Sequence, residues 1–248
     1  MKTIGVLGGM GPVATAEYFQ RMLALCQRWH GAVQDGEYPP ILVYSMSLQG
    51  SSESGIKDTR VLEREFVRGA RRLVSAGSDF LVIPCNTAHH YIDRLRRAVS
   101  VPIPSIVELT VDELERRGVR SVAVLASDSS EQHALYDRPL EARGIRPVGP
   151  RAREQRELTR TIEHIMGGLR THGDRQALIR IVRRMRADDG VDAAIVGCTE
   201  LSLVLPTYAY SIPTVDALDM LAEEAVRRAY ESSPTHDVPS AERMTATA

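Results

Sequence analysis

The 248-residue sequence contains very little lysine. Of its 31 Lys and Arg residues, only Lys2 and Lys57 are lysines. Lys2 precedes the first predicted strand, and Lys57 falls at the start of a loop or helix. Because pyridoxal phosphate enzymes need a lysine to form the Schiff base with their cofactor, this scarcity disfavours that cofactor. We expect no cofactor and no bound metal.

Cysteine is also scarce, with three residues at Cys26, Cys85 and Cys198. An odd number without regular spacing argues against a secreted disulfide scaffold. The apolar run at the N-terminus is too short for a signal peptide, and no stretch is long enough to span a bilayer. These absences predict a cytoplasmic protein.

An excess of charge of either sign is absent as well. The 31 basic residues nearly balance 32 acidic ones, which gives a formal net charge of −1. Extended binding to nucleic acid or to anionic membrane normally requires a basic excess. We therefore expect a small-molecule partner, with neither nucleic acid nor membrane.

What the sequence does contain is a regular alternation of two patterns. Short apolar runs rich in β-branched residues predict strands at 3–7, 41–45, 79–84, 121–126 and 192–197. Helical periodicity predicts helices at 14–29, 58–76, 87–98, 131–143, 154–169, 174–187 and 215–231. This alternation predicts an α/β fold of mainly parallel sheets flanked by helices. The polar tail, 232–248, is predicted to be disordered.

The two halves of the sequence resemble each other. Gly77 and Gly190 each lie eight residues before a cysteine, and Asp79 and Asp192 each lie six residues before it. One interpretation is that α/β proteins commonly reuse such patterns. The other is a pair of similar domains related by a pseudo-twofold axis, with the active site in the cleft between them. The second interpretation predicts a first domain of residues 1–105 plus 213–231 and a second domain of residues 106–212.

Cys85 and Cys198 lie in matching positions, each directly after a predicted strand. Ligands of open α/β sheets bind beyond the carboxyl ends of the strands. A following helix N-terminus would favour the thiolate form of the cysteine. A racemase must remove an α-proton from one face of the substrate and return a proton to the other face. Two flanking thiols suit this chemistry, so we predict both cysteines to be catalytic.

Other interpretations of these residues are weaker. Cys26 shares a predicted helical face with Tyr18, Met22 and Trp29, which is typical of an inert core thiol. A metal site built on Cys85 and His89 would have too few ligands. A redox dithiol would usually show a C-x-x-C motif. The glycine-rich loop at 8–12 lacks the nucleotide-binding patterns, and we predict that it is a tight turn lining the cleft.

Three segments resemble the aspartate/glutamate racemase family. They are IGVLGGMGP at 4–12, PCNTAH at 84–89 and GCTEL at 197–201. The resemblance covers about residues 1–230 and is closer to the aspartate racemase branch, because Glu200 stands where glutamate racemases usually carry histidine.

This resemblance implies two α/β domains, cofactor-independent catalysis and, often, a homodimer. It assigns Cys85 and Cys198 as the acid/base pair. The residues expected to bind substrate are Met10, Gln49, Asn86, Thr87, Ser127, Ser130, Thr199 and Glu200.

The sequence departs from the family pattern in two places. The loop that usually reads Ala-Thr-x-Gly-Thr is ASDSS at 126–130, so Ser129 replaces a flexible glycine. The arginine that usually follows the second strand is missing, and the second half contains no lysine. A substrate side-chain carboxylate would therefore lack its usual cationic partner, although Gln49 could donate a neutral hydrogen bond.

The sequence therefore predicts a cofactor-independent amino-acid racemase, acting on aspartate or glutamate first and with relaxed specificity. One alternative is a related cysteine-dependent isomerase or decarboxylase, such as a maleate isomerase or a hydantoin racemase. Another is a ligand-binding protein that has lost catalysis, which the altered ASDSS loop favours.

Overall fold

The computed structural model describes residues 1–48, 51–52, 55–56, 59–204 and 210–231. Gln49 and the tail at 232–248 lie outside the described residues, so the predictions made for them stay predictions.

A parallel three-stranded sheet forms the first half of the protein. Strand β1 (Ile4–Gly8) lies at its centre, between β2 (Ile41–Ser45) and β5 (Phe80–Val82). A two-stranded antiparallel pair, β3 (Ser51–Ser52) and β4 (Gly55–Ile56), follows β2 along the chain. Every residue of β1 is buried, as expected for a central strand covered on both faces.

The second half repeats this arrangement and adds a strand. Strand β6 (Ser121–Leu125) lies between β7 (Arg146–Val148) and β8 (Ala193–Val196), and β9 (Thr214–Asp216) extends the sheet beyond β8. All pairings are parallel. In each half the strand that precedes a cysteine, β5 or β8, pairs with the first strand of that half. The predicted α/β architecture is confirmed.

Helices cover both faces of the sheets. They are α1 (Pro12–His30), α2 (Thr59–Ser75), α3 (Ile92–Ala98), α4 (Ile106–Arg116), α5 (Asp128–Gln132), α6 (Asp137–Ala142), α7 (Ala152–Met166), α8 (His172–Asp189) and α9 (Ala217–Tyr230). The first of them, α1, has a proline in its first turn, where a missing N–H costs nothing. It ends at Gly31, whose left-handed conformation (φ 65°) lets its N–H reach the carbonyls of Cys26 and Gln27.

Three of these helices lie in a core that both sheets share. Helices α1 and α4 pack against α9, and the buried cluster around them joins Val6 and Val82 of the first sheet to Val124 and Ile195 of the second. Helices α2 and α3 contribute to a separate cluster on the first sheet, and α7 and α8 to another on the second.

The final segment connects the two halves. The predicted domain division assigned residues 213–231 to the first half. Strand β9, however, pairs with β8 in the second sheet, and α9 packs on both α1 and α4. The domain boundary itself stays a prediction.

Candidate active site

Cys85 follows β5 and is partly exposed. Its backbone N–H donates to the carbonyl of Ile83 at 2.8 Å. The same carbonyl is 3.1 Å from Nε2 of the buried His89. Burial lowers the pKa of His89 to about 4, so its imidazole is neutral at physiological pH. His89 therefore supports the chain next to Cys85, in agreement with a packing role rather than a metal-binding one.

Cys198 follows β8 and is only 7% exposed. The sequence predicted a helix directly after it. Within the described residues, the chain instead forms a single 3-10 turn at Leu201–Leu203. The N–H groups of Leu201 and Leu203 bond to the carbonyls of Cys198 and Glu200, three residues earlier. Because this turn is so short, little helix dipole is available to stabilise a Cys198 thiolate.

Glu200 provides a hydrogen-bond acceptor for the Cys198 thiol. The Cys198 Sγ donates to Glu200 Oε2 at 3.2 Å, and the Thr199 hydroxyl donates to the same oxygen at 3.1 Å. Glu200 Oε1 accepts from the backbone N–H of Gly11 at 3.2 Å. A Cβ at Gly11 would come within 2.9 Å of this oxygen. Glu200 is 4% exposed and links the second cysteine to the glycine-rich loop of the first half.

A hydroxyl cluster joins the two halves next to Cys85. Thr87 Oγ1 lies 3.2 Å from both Ser127 Oγ and Ser130 Oγ, and the two serine oxygens are 3.1 Å apart. The cysteine motif of each half thus contacts the other half. The roles of Thr87, Ser127 and Ser130 in substrate binding stay predictions.

Asn86 makes a further contact between the halves, which the sequence analysis missed. Its Oδ1 accepts a 2.5 Å hydrogen bond from the Tyr136 hydroxyl. Its Nδ2 is buried without a hydrogen-bond partner in the described part of the chain. A buried donor of this kind is costly unless something accepts from it. The matching positions of Tyr18 and Tyr136 after β1 and β6 were the signal that could have identified Tyr136.

A cavity of about 190 Å³ opens beside Cys85. The predicted residues Met10 and Thr87 line it, and Ser129, Leu62, Phe66, Tyr91 and Met166 were not predicted. Its remaining lining residues are Gly9, Gly11, Pro12, Leu48 and Ala88. None of these lining residues carries a charged side chain.

Cys198 is not among the described lining residues. It connects to the cavity through Glu200 and the lining residue Gly11. Cys26 is fully buried beside Tyr18 and Met22, as predicted, although Trp29 on the same helix is 39% exposed. None of the three cysteines forms a disulfide.

The fold and the two cysteine motifs agree with the family to which the sequence belongs. A family model described as Asp/Glu/Hydantoin racemase matches residues 7–225, so the chain belongs to this family. The broad specificity amino-acid racemase RacX of Bacillus subtilis (strain 168) is 30% identical to it over 233 residues. That match covers 92% of this chain and 100% of the relative.

Solved structures show the same architecture. The crystal structure of an aspartate racemase homologue from Pyrococcus horikoshii has a TM-score of 0.79 and 26% identity, covering 93% of this chain and 100% of that chain. A glutamate racemase from Francisella tularensis, in complex with D-glutamate, has a TM-score of 0.63 and 13% identity. That match covers 93% of this chain and 81% of that chain. At this lower identity the likeness concerns the fold alone.

Two features are absent from the described residues. They contain no helix that is long and apolar enough to cross a membrane. They also contain no cluster of three or more His, Cys, Asp or Glu side chains placed to hold a metal ion.

Proposed function

We propose that this protein racemises free amino acids by moving the α-proton between Cys85 and Cys198. The observation that carries the proposal is the reciprocal contact between the halves. Thr87, after the first cysteine, bonds to Ser127 and Ser130 of the second half. Glu200, after the second cysteine, bonds to Gly11 of the first half. Both cysteine motifs therefore belong to one interface.

The proton transfers balance with one thiolate and one thiol. The thiolate takes the α-proton from one face of the substrate, and the thiol gives its proton to the other face. The reverse reaction exchanges these roles. The negative charge that develops on the α-carbon spreads into the substrate carboxylate, where the buried Nδ2 donor of Asn86 is available to stabilise it. When Cys198 is the thiol, its Sγ donates a hydrogen bond to Glu200 Oε2, which holds the side chain in place until its proton passes to the substrate.

The cavity favours substrates with neutral side chains. A cavity volume of about 190 Å³ gives room for a small amino acid. Its described lining residues are uncharged, so a second carboxylate there would lose a charge-assisted hydrogen bond worth about 1.5–3 kcal/mol. The broad specificity of the Bacillus subtilis relative also supports this proposal. We propose turnover of neutral amino acids, with aspartate and glutamate accepted at higher KM. A cytoplasmic homodimer stays a prediction.

The test is exchange of the α-proton in D₂O, followed by proton NMR with a panel of L-amino acids. We expect Cys85→Ser and Cys198→Ser each to lower kcat by about 10²–10⁴-fold, because a serine hydroxyl is not ionised near neutral pH and cannot replace the thiolate as proton acceptor. Cys26→Ser is the matched control and should keep normal activity. Near-normal racemisation by either active-site variant would overturn the two-cysteine mechanism.

The same panel tests the substrate proposal and the alternatives. We expect kcat/KM for asparagine and alanine to equal or exceed that for aspartate. A preference for aspartate by several orders of magnitude would contradict the neutral-substrate proposal. Isomerisation of maleate or loss of CO₂ would indicate a related isomerase or decarboxylase instead of a racemase. Binding without exchange of the α-proton would indicate a ligand-binding protein.

A further inference from the structure

A strongly basic groove lies between α2 and α3, outside the candidate active site. Its volume is about 1270 Å³, and the described residues that line it include seven arginines but only one acidic residue, Glu63. The whole chain contains 31 basic and 32 acidic residues, so its charges nearly balance. The local excess of arginine is therefore a property of this surface and not of the overall composition. We call this surface the arginine groove.

The arginines are arranged in two rows. On α2, Arg60, Arg64, Arg68 and Arg72 follow each other at intervals of four residues, which places them about 6 Å apart along one side of the helix. On α3, Arg94 and Arg97 contribute to the same groove. All six side chains are exposed. The buried side of α2 carries Leu62 and Phe66, which line the cavity beside Cys85.

Arg68 and Arg94 form ion pairs with described carboxylates, and Arg60 also has an interaction partner. Arg94 pairs with Glu63 at 2.5 Å and Arg68 with Glu65 at 3.3 Å. Within the described residues, neither Arg64 nor Arg97 has a carboxylate within ion-pair distance.

Two other arginines use neutral acceptors. Arg71 donates to the carbonyl of Ala98, and Arg72 donates to the hydroxyl of Tyr44.

Like charges one helical turn apart, such as the arginine row on α2, destabilise a helix. A bound polyanion would relieve this repulsion.

The shape and chemistry of the groove favour a phosphate chain. Guanidinium groups bind phosphate oxygens in a bidentate manner, and a concave site between two helices suits a short chain better than the flat surface of a bilayer. The described residues that line it include no aromatic ring, whereas sites for single-stranded nucleic acid usually stack bases on aromatic side chains. We propose that the arginine groove binds linear oligophosphates, either inorganic triphosphate or the triphosphate tail of a nucleotide.

A second arginine-rich surface provides a matched control. Arg153, Arg156, Arg160 and Arg180 lie together in the second half, but Glu154 and Glu157 share that surface with them. If arginine alone were sufficient, this surface would bind oligophosphates equally well.

The experiment is isothermal titration calorimetry of the full chain with sodium triphosphate, ATP and orthophosphate at an ionic strength of about 0.15 M. We expect saturable binding of triphosphate at one site, and much weaker binding of orthophosphate. The double variant Arg64→Ala/Arg97→Ala should weaken triphosphate binding by about 10–100-fold, since each charge-assisted contact contributes up to about tenfold at an exposed site. The control Arg153→Ala/Arg156→Ala should change it by less than about twofold.

Two further comparisons, one of ligands and one of variants, identify the source of the phosphate chain and the role of arginine. Equal affinity for triphosphate and ATP indicates that the chain alone is bound, and tighter binding of ATP indicates a nucleotide. Arg64→Lys/Arg97→Lys keeps the charge but loses the bidentate geometry, so it should bind more tightly than the alanine variant and more weakly than the unmodified protein. Far-ultraviolet circular dichroism checks that each variant is folded.

Three results would overturn the proposal. They are the absence of saturable triphosphate binding, an equal loss of binding in the control variant, and tighter binding of a single-stranded oligonucleotide or of anionic vesicles than of triphosphate. None of these measurements depends on racemase activity.

Discussion

At the residue scale, Glu200 connects the second cysteine to the glycine-rich loop of the first half. Its two carboxylate oxygens accept from Cys198, Thr199 and Gly11. The sequence analysis expected Glu200 to bind substrate. That role stays a prediction, and we propose in addition that Glu200 positions Cys198, because its carboxylate accepts from the Cys198 thiol and from the N–H of Gly11, which lines the cavity.

Glu200→Gln tests this role. The amide keeps a similar shape but removes the anionic acceptor from Cys198. We expect kcat to fall about 10–150-fold, the equivalent of one charge-assisted hydrogen bond, while KM changes little. The basic limb of the pH–rate profile should also move, because the Cys198 proton would be lost at a different pH. Glu200→Asp should restore part of the rate. An unchanged kcat and pH profile would contradict this role.

His89 makes the stability of the protein depend on pH. Its pKa is lowered from 6.5 to about 4 by burial, so the unfolded chain binds a proton more readily than the folded chain does. The resulting stability is present above pH 6.5 and is lost as the pH falls towards 4. Between pH 7 and pH 4.5 we expect a loss of about 2 kcal/mol from this group alone.

Urea unfolding of the unmodified protein and of His89→Gln at both pH values measures this contribution. The glutamine variant lacks the titrating ring, so its free energy of unfolding should fall by about 2 kcal/mol less over the same interval. Equal pH dependence in the two proteins would show that His89 is not responsible.

At the scale of elements, Arg21 connects α1 to two segments of the second half. Its guanidinium donates to Asp216 at 2.9 Å, to Asp219 at 2.6 Å and to the carbonyl of Ser202 at 3.1 Å. Asp216 is 4% exposed, and its Oδ1 accepts from Ser202 Oγ and caps the first turn of α9 at Leu218. One ion-pair network therefore holds α1, α9 and the turn after Cys198 together.

Arg21→Met should destabilise the protein by about 3 kcal/mol, because it leaves the buried Asp216 carboxylate without its cation. Thermal unfolding measures the effect. Arg116→Met is the matched control. Arg116 pairs with Glu113 on the surface and its side chain is 72% exposed, so its loss should lower the unfolding temperature much less than Arg21→Met does. If both substitutions had the same small effect, the Arg21 network would not contribute to stability as expected.

At the scale of the whole molecule, the shared core determines how the protein unfolds. The buried cluster that contains Val6, Val124 and Leu218 includes residues of both sheets and of α9. Two halves that share a core lose most of their buried apolar area together. The domains that the sequence predicts should therefore behave as one cooperative unit.

Chemical denaturation with separate probes tests this cooperativity. Trp29 is the single tryptophan and lies on α1 in the first half, so its fluorescence reports that half. Hydrogen exchange of the β6 amides reports the second half. We expect the two transitions to coincide. A separate, earlier transition in either half would show that the shared core does not couple them.

The sequence by itself determined the strands and helices whose patterns are local. The runs that became β1, β2 and β6, and the periodic stretches that became α1, α2, α7 and α8, were predicted with small errors at their ends. Each of these segments buries a continuous or periodic apolar face, so neighbouring residues carry the signal. The matched spacing around Cys85 and Cys198 also predicted the repeated topology, since glycine and aspartate positions before a strand are local features.

Only the tertiary structure decided the features that depend on partners distant in sequence. Strands β7 and β9 have three residues each, too few to show a period, and β9 is defined by its pairing with β8. Helix α4, which the pattern analysis missed, packs on α9 more than 100 residues away. The contact of Tyr136 with Asn86 and that of Glu200 with Gly11 likewise join residues from different halves. Local patterns cannot encode such contacts, because they form only when packing of the shared core brings the two sheets together.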